Sequence, residues 1–294
     1  MNKLDKAIKT CNKIVDLPYN KFSLENYKEV LTKYKYKCNF INSNENLPIK
    51  LMSGNHINAG ILTSGKGKII VVGKGVLFDS GGLDLKPSDG TMCAMTDDKC
   101  GMLIALTLSK LFPDKVRAFC PVSTNFIFNS KIIPGNIYKI GNHLVRVTDT
   151  DAEGRLLLIE AISDLSITKS DIIITIATLT GGCALAIGSK ATAVMSDNED
   201  LLKKYAEASF EAHELAWGLP MFDYMNDYYK KEPLKNWIKE FKGSTSQGGC
   251  FIKQFVKYPQ NFIHLDIASS SFDDNGKANG IPIKSLINFI RKLQ

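Results

Sequence analysis

Histidine is scarce in this sequence, at four residues, and none forms an H-E-x-x-H pair, so the helical dihistidine zinc site is excluded. His56, His143, His213 and His264 stand apart from one another and read as structural. No G-x-S-x-G turn occurs, and Cys100 has no histidine near it in sequence, so a serine or cysteine nucleophile is unsupported. The seven cysteines (Cys11, Cys38, Cys93, Cys100, Cys120, Cys183 and Cys250) are odd in number, widely spaced and without a C-x-x-C pair. That pattern suits free thiols in a reducing compartment. The most apolar stretch, Ile172 to Ile187, is diluted by Thr175, Thr178, Thr180, Gly181 and Gly182, and is too short and polar to span a bilayer. No apolar segment follows the basic start Met1 to Lys6, which argues against a secretory signal. With 37 Lys and Arg against 30 Asp and Glu, and no run of five basic residues, the charge reads as a solvated surface rather than a nucleic-acid face. The expectation is a cytoplasmic protein with neither a membrane nor a nucleic-acid partner.

What is present is enough for a large core. Apolar residues make up 44% of the chain, and no internal repeat or proline- or serine-rich linker divides it, so residues 1–294 read as a single domain. Leu4 to Val15 and Leu24 to Tyr34 carry helical patterns, whereas Lys37 to Ile41 and Ile49 to Met52 read as short strands. Lys68-Ile69-Ile70-Val71-Val72 is a β-branched run of the kind buried on both faces of a sheet, and it feeds a glycine-rich loop from Gly73 to Gly82. Further strands are expected over Val116 to Val122, Asp171 to Ile176 and Phe262 to Ile267. Helices are expected over Cys100 to Leu111, Gly154 to Leu165, Glu199 to Ala216 and Ile283 to Leu293. Pro134 to Thr148 reads as a small β excursion and Lys230 to Gln247 as a charged loop region. Buried strands alternating with helices predict an α/β fold with a mainly parallel central sheet covered on both faces. Active residues then belong beyond the carboxyl ends of the strands.

Polar residues gather in the loops at those ends. Lys74, Asp79 and Lys86 occupy the glycine-rich loop, whose spacing does not fit the phosphate-binding G-x-x-x-x-G-K-[ST] pattern. Asp97 and Asp98 precede a helix, where either could be a cap or a ligand. Asp149, Asp151 and Glu153 alternate, and an extended backbone would turn all three to one side. Carboxylates so grouped repel unless cations hold them, and oxygen donors suit divalent metals. A carboxylate-rich cluster without histidine argues for a two-metal hydrolytic site.

These segments resemble the cytosol (leucine) aminopeptidase family, dizinc enzymes marked by N-T-D-A-E-G-R-L. Asp149-Thr150-Asp151-Ala152-Glu153-Gly154-Arg155-Leu156 matches at seven of eight positions. Val72-Gly73-Lys74-Gly75, Phe78-Asp79-Ser80-Gly81-Gly82, Ala177-Thr178-Leu179-Thr180-Gly181 and His264-Leu265-Asp266-Ile267-Ala268 extend the likeness in order. The resemblance implies two divalent ions, zinc or manganese with cobalt or magnesium also compatible, held by Lys74, Asp79, Asp98, Asp151 and Glu153. Asp79 and Glu153 would bridge them, and Lys74 would be neutral. Lys86 would polarise the scissile carbonyl, and Arg155 would bind bicarbonate as the general base. Met95, Thr178, Gly181, Ala268 and Ser271 fall where the family lines its first side-chain pocket, and Leu179 where a main-chain group meets bicarbonate and substrate. Met95 reads equally well as a core residue.

The chain departs from the family in particular places. By the resemblance it is expected to begin near the start of the catalytic domain, without the family's N-terminal domain. The interval from Lys86 to Asp98 is one residue longer than in the family, leaving Asp97 as a competitor; Asp98-Lys99-Cys100-Gly101 resembles D-M-C-G and favours Asp98. Asp149 replaces an asparagine beside the metals, Ser269 replaces a glycine, and Asn279-Gly280-Ile281-Pro282 departs from a T-G-R-P-like turn. The expected function is release of leucine-like or varied N-terminal residues from peptides with a free N-terminus, by a homo-hexamer. A narrow dipeptidase, for instance for Cys-Gly, and a non-catalytic scaffold of the same fold are the alternatives.

Overall fold

A strand buried at every residue needs cover on both faces, and three of the expected strands meet that condition closely. The structure is a computed structural model that describes residues 2–88, 91–94 and 97–293, apart from the side chains of Thr91, Ala94 and Asp97. Its main sheet comprises β1 (Asn39–Asn42), β2 (Gly60–Gly65), β3 (Ile69–Gly73), β4 (Gly75–Asp79), β5 (Val116–Asn125), β8 (Ile172–Ala177), β9 (Thr192–Met195), β10 (Ala216–Gly218) and β12 (Phe262–Asp266). A separate three-stranded sheet contains β6 (Ile137–Ile140), β7 (His143–Arg146) and β11 (Leu234–Lys235). In the main sheet the order is β1-β2-β5-β3-β8-β12-β9-β10, and β4 pairs with the carboxyl half of β5. The central strands β5, β3, β8 and β12 are mutually parallel; β1, β2 and β9 introduce the antiparallel pairs. Every residue of β3 and β12 is buried, as is all of β8 beyond Ile172.

The cover comes from two groups of helices. On one side α4 (Cys100–Leu111) packs on β3, β5 and β8 and meets α1 (Lys3–Val15) and α10 (Ile283–Lys292), which packs on α7 (Glu199–Ala212). In the other group α5 (Glu153–Ser163) packs on β3 and β5 and touches α3 (Pro48–Met52) and α9 (Ser244–Lys253). Helix α9 reaches β9 and β12 and contacts α6 (Gly182–Ile187) and α8 (Asp223–Asn226); α2 (Tyr27–Lys33) lies near the start of the chain. Helix α4 is buried from Cys100 through Ser109, so it is apolar almost all round rather than amphipathic.

Some local expectations are corrected. Ile49 to Met52 is helical, within α3, because Pro48 at the first helical position presets the backbone, and four residues are too few for hydrophobic period to decide. The loop from Gly73 to Gly82 contains β4, whose pairing with β5 is a tertiary event. Helix α7 stops at Ala212, where His213 adopts a left-handed φ of 54°, and Ala216 already belongs to β10. The region Lys230 to Gln247 holds β11 and the start of α9.

Candidate metal centre

The carboxyl ends of the parallel strands bring the polar residues together. Lys74 follows β3, Asp79 ends β4, Asn125 ends β5, Thr178 follows β8 and Asp266 ends β12. Asp98 sits in a short 3-10 turn, Asp97–Lys99, that leads into α4, and Glu153 opens α5, where the helix dipole favours a negative charge. Gly81 and Gly82 take φ values of 93° and 67°, a left-handed turn that returns the chain so that the Lys86 amide donates to the Ser80 carbonyl at 3.0 Å. Gly154 lies against the Lys74 side chain: a Cβ there would approach Lys74 Cδ and Cε to 2.8 Å.

Lys74, Asp79, Lys86, Asp98, Asp151, Glu153, Thr178, Leu179, Gly181 and Ala268 line one cavity of about 270 Å³, together with Thr180. Lys74 Nζ lies 2.9 Å from Asp98 Oδ1 and 2.7 Å from Glu153 Oε1, and it donates to the Thr178 carbonyl at 3.0 Å. Lys86 Nζ lies 2.8 Å from Asp79 Oδ2 and 2.5 Å from Asp151 Oδ1. Asp79 Oδ1 accepts from the Gly81 amide at 2.8 Å and from Asn125 Nδ2 at 2.7 Å. Asp98 Oδ1 also accepts from the Thr178 hydroxyl at 2.7 Å, so of the described side chains it is Asp98 that enters the cluster; the Asp97 side chain lies outside the described set.

These residues fit divalent ions on their own geometry. One oxygen from each of Asp79, Asp151 and Glu153 lies within 4.8 Å of the others, a spacing compatible with a shared cation. At that separation and an effective dielectric of about 20, two carboxylates repel by roughly 3 kcal/mol. The ammonium groups of Lys74 and Lys86 offset only part of the charge on Asp79, Asp98, Asp151 and Glu153. Apart from the Lys74 ammonium, the buried Glu153 Oε1 has no polar partner among the described residues. Burial, then the Asp79 charge, raises the Glu153 carboxyl above its ordinary range, and burial likewise raises Asp79 and Asp151. Burial disfavours the Lys74 ammonium, but the charges of Asp98, Glu153 and Asp79 outweigh it and hold Lys74 protonated. The neutral lysine of a metal ligand therefore requires the positive charge of the ion itself.

Other expected site residues lie around this cavity rather than in its wall. Arg155 is buried, its guanidinium donating to the Asn236 carbonyl at 2.8 Å and lying 5.7 Å from the Trp237 ring, while its Nε has no partner among the described residues. Ser271 is buried and its hydroxyl donates to the Ile267 carbonyl at 2.7 Å. Asp149 does not point with Asp151 and Glu153: the segment is irregular rather than extended, and Asp149 Oδ1 accepts from the Asp151 amide at 2.8 Å. Met95 lies outside the described residues. No histidine joins the cluster. His264 is buried in β12, shares a 2.7 Å hydrogen bond with Thr175, and is held neutral by burial, which pushes it down to about 3.

Composition and motif did not single out Asn125, Thr180, Asn236, Gln247 or Asp266 as site residues. Asp266 and Thr180 stood within matching motifs, the only local signal available; Asn125, Asn236 and Gln247 come from segments without one. A larger hollow of about 780 Å³ lies between α7 and β10, but its wall includes Leu202, Phe210, Leu215 and Trp217 and, among the described residues, no group of carboxylates that could share a cation.

Comparison with known proteins agrees with this geometry. The description cytosol aminopeptidase family, catalytic domain, matches residues 48–287. A probable cytosol aminopeptidase of Azotobacter vinelandii is 34% identical over 75% of this chain and 46% of its own length. One of Geotalea uraniireducens is 29% identical over 98% of this chain and 64% of its own length. The chain spans about half the length of most of the curated relatives it matches. Among solved structures, the bottromycin maturation enzyme BotP in complex with Mn shares the fold, with a TM-score of 0.81 at 24% identity, over 98% of this chain and 70% of that one. With its family match running from the start of α3 into α10, this chain belongs to the cytosol aminopeptidase family.

Proposed function

We propose that this chain is a two-metal aminopeptidase, a single catalytic domain that releases leucine-like or varied N-terminal residues from peptides with a free α-amine. The observation that carries the reading is the cluster of Asp79, Asp151 and Glu153, whose carboxylate oxygens lie within 4.8 Å of one another, beside Lys74 and Asp98. These five side chains would hold two divalent ions. Zinc or manganese is the expected metal, and the manganese bound by BotP supports the latter; cobalt or magnesium suits the same donors. Divalent ions there supply Lewis acidity and an activated water for attack on the peptide carbonyl.

The chain's own residues do the rest. Lys86 projects its ammonium into the cavity and donates to the carbonyl oxygen as negative charge develops. Arg155, whose buried Nε lacks a partner among the described residues, would hold bicarbonate, which acts as the general base. Thr178, Gly181 and Ala268, with Met95 and Ser271, would shape the pocket for the first side chain, a main-chain group of Leu179 would meet bicarbonate and substrate, and Asp149 would tune the charge there. A homo-hexamer in the cytoplasm is the assembly and location proposed from family membership. Among the described residues no helix is long and apolar enough to cross a membrane.

The test is hydrolysis of leucine-p-nitroanilide and a peptide panel by the purified chain, with added Mn²⁺ or Zn²⁺ and with a chelator. Metal-dependent release of the N-terminal residue alone, abolished by N-acetylation, is the expected result. Turnover confined to Cys-Gly would narrow the enzyme to a dipeptidase, and a folded protein inert with every metal would leave a scaffold.

A further inference from the structure

Residues 148–152 carry the metal-ligand segment, yet they lie in neither a helix nor a strand. A half-buried irregular segment must find partners for its backbone outside any ladder. Here side chains supply them. The Thr150 amide donates to Asp84 Oδ2 at 2.7 Å, the Thr150 carbonyl accepts from Asn125 Nδ2 at 3.0 Å, and the Asp151 amide donates to Asp149. Four further backbone groups converge on one residue that is fully buried, Asn236.

Asn236 Oδ1 accepts from the Thr148 amide at 2.7 Å and the Asp149 amide at 3.3 Å. Its Nδ2 donates to the carbonyls of Asp149 at 2.6 Å and Ala152 at 3.3 Å. Its backbone amide donates to the Arg146 carbonyl at 3.2 Å, and its own carbonyl accepts from Arg155 at 2.8 Å. Every polar atom of Asn236 is therefore committed to residues 146–155. The pairing of β11 with β7, Leu234 opposite Val145 and Lys235 opposite Arg146, delivers it there in register. Gln247 holds the far side of the same arrangement, its amide bonding to Ile238 at both the carbonyl and the amide and its Oε1 lying 3.4 Å from Arg155.

We propose that Asn236 is a positioning residue of the metal site: it sets the backbone that aims Asp151 and Glu153 into the cavity and fixes Arg155 in the same frame. This role rests on the metallo-aminopeptidase reading. It requires an acceptor and a donor on one short side chain. Aspartate keeps the shape but turns a carboxylate oxygen towards the Asp149 and Ala152 carbonyls, and alanine leaves all the side-chain partners unpaired.

The experiment is Mn²⁺ titration, followed by electron paramagnetic resonance, of the wild-type chain, Asn236→Asp and Asn236→Ala, with kcat and KM on leucine-p-nitroanilide. Asn58→Ala, which removes a side-chain bond to the Leu24 carbonyl far from the cavity, is the structural control. Partners one bond removed from metal ligands typically account for about 10- to 100-fold in metal affinity or activity. A loss of that size in Mn²⁺ affinity is expected for folded Asn236→Asp, with metal content returning at high Mn²⁺ and kcat staying low because the backbone that aims Asp151 and Glu153 has lost its partners. A change in thermal stability alone, with wild-type Mn²⁺ affinity and kinetics in both position-236 variants, overturns the role while leaving the enzyme intact. A wild-type chain that takes up no Mn²⁺ and turns over no substrate overturns the underlying reading, and this role with it.

Discussion

Asp266 Oδ1 accepts the Leu179 amide at 3.1 Å, a bond that ties the end of β12 to the loop after β8. The same carboxylate accepts from the Ala268 amide at 3.2 Å and the Thr180 hydroxyl at 2.6 Å, so both walls of the proposed side-chain pocket hang on one buried group. Asp266→Ala is expected to raise KM more than it lowers kcat and to reduce stability to urea. Each stranded donor typically costs about 1–3 kcal/mol. Asp266→Asn, which retains an acceptor for the amides and a polar group for Thr180, should recover most of the loss; equal damage by both substitutions would show that the charge, not the hydrogen bonding, matters.

Lys86 and Asp79 face each other at 2.8 Å but carry different proposed roles. Lys86→Ala should keep its bound metal and lose roughly 100- to 1000-fold in kcat, the usual effect of removing one preorganised stabiliser. Asp79→Ala should lose metal as well. Metal analysis beside kinetics separates them, and full activity in Lys86→Ala would remove it from the chemistry.

Divalent ions should stabilise the fold because they relieve repulsion among buried carboxylates. Ligand at a hundredfold above its dissociation constant adds about 2.7 kcal/mol to the native state. Calorimetry should accordingly show a higher Tm with Mn²⁺ or Zn²⁺ and a lower one with chelator. The shift should vanish in Asp79→Ala; its persistence there would place the binding elsewhere.

Glu160 supplies a pH dependence away from the metal centre. It is buried in α5, bonded to the Ser43 hydroxyl and the Ile49 amide, and burial pushes its carboxyl up to about 8 from 4.5 despite those bonds. Between those values the folded chain keeps a proton that the unfolded chain has released. Its contribution is therefore complete below pH 4.5 and is lost as pH rises through about 8, with a slope of at most about 1.4 kcal/mol per pH unit. Urea unfolding with chelator present, from pH 5 to 8, should show a shallower decline in Glu160→Gln than in the wild type. Parallel curves would mean that Glu160 stays ionised in the fold.

The local sequence determined the strands and helices whose pattern is long or extreme. The β-branched run before Gly73 and the apolar segment from Cys100 appear as β3 and α4 because burial on all sides leaves little alternative to a covered sheet and its packed helix. The residue types of the cluster were equally legible, since carboxylates grouped around Asp151 call for a cation wherever the chain folds.

Tertiary structure decided the rest. Strand β4 exists through its pairing with β5, and α3 replaces an expected strand of four residues in which neither period is expressed. Alternation suggested that Asp149, Asp151 and Glu153 point one way. That expectation held an extended backbone, whereas Asn236, Asp84 and Asn125 bend the segment and turn Asp149 onto its own chain. Asn236 lies more than eighty residues from the segment it shapes, and no motif surrounds it. Hydrogen bonding to irregular backbone has no period along the chain, so it becomes visible only when folding brings donor and acceptor together.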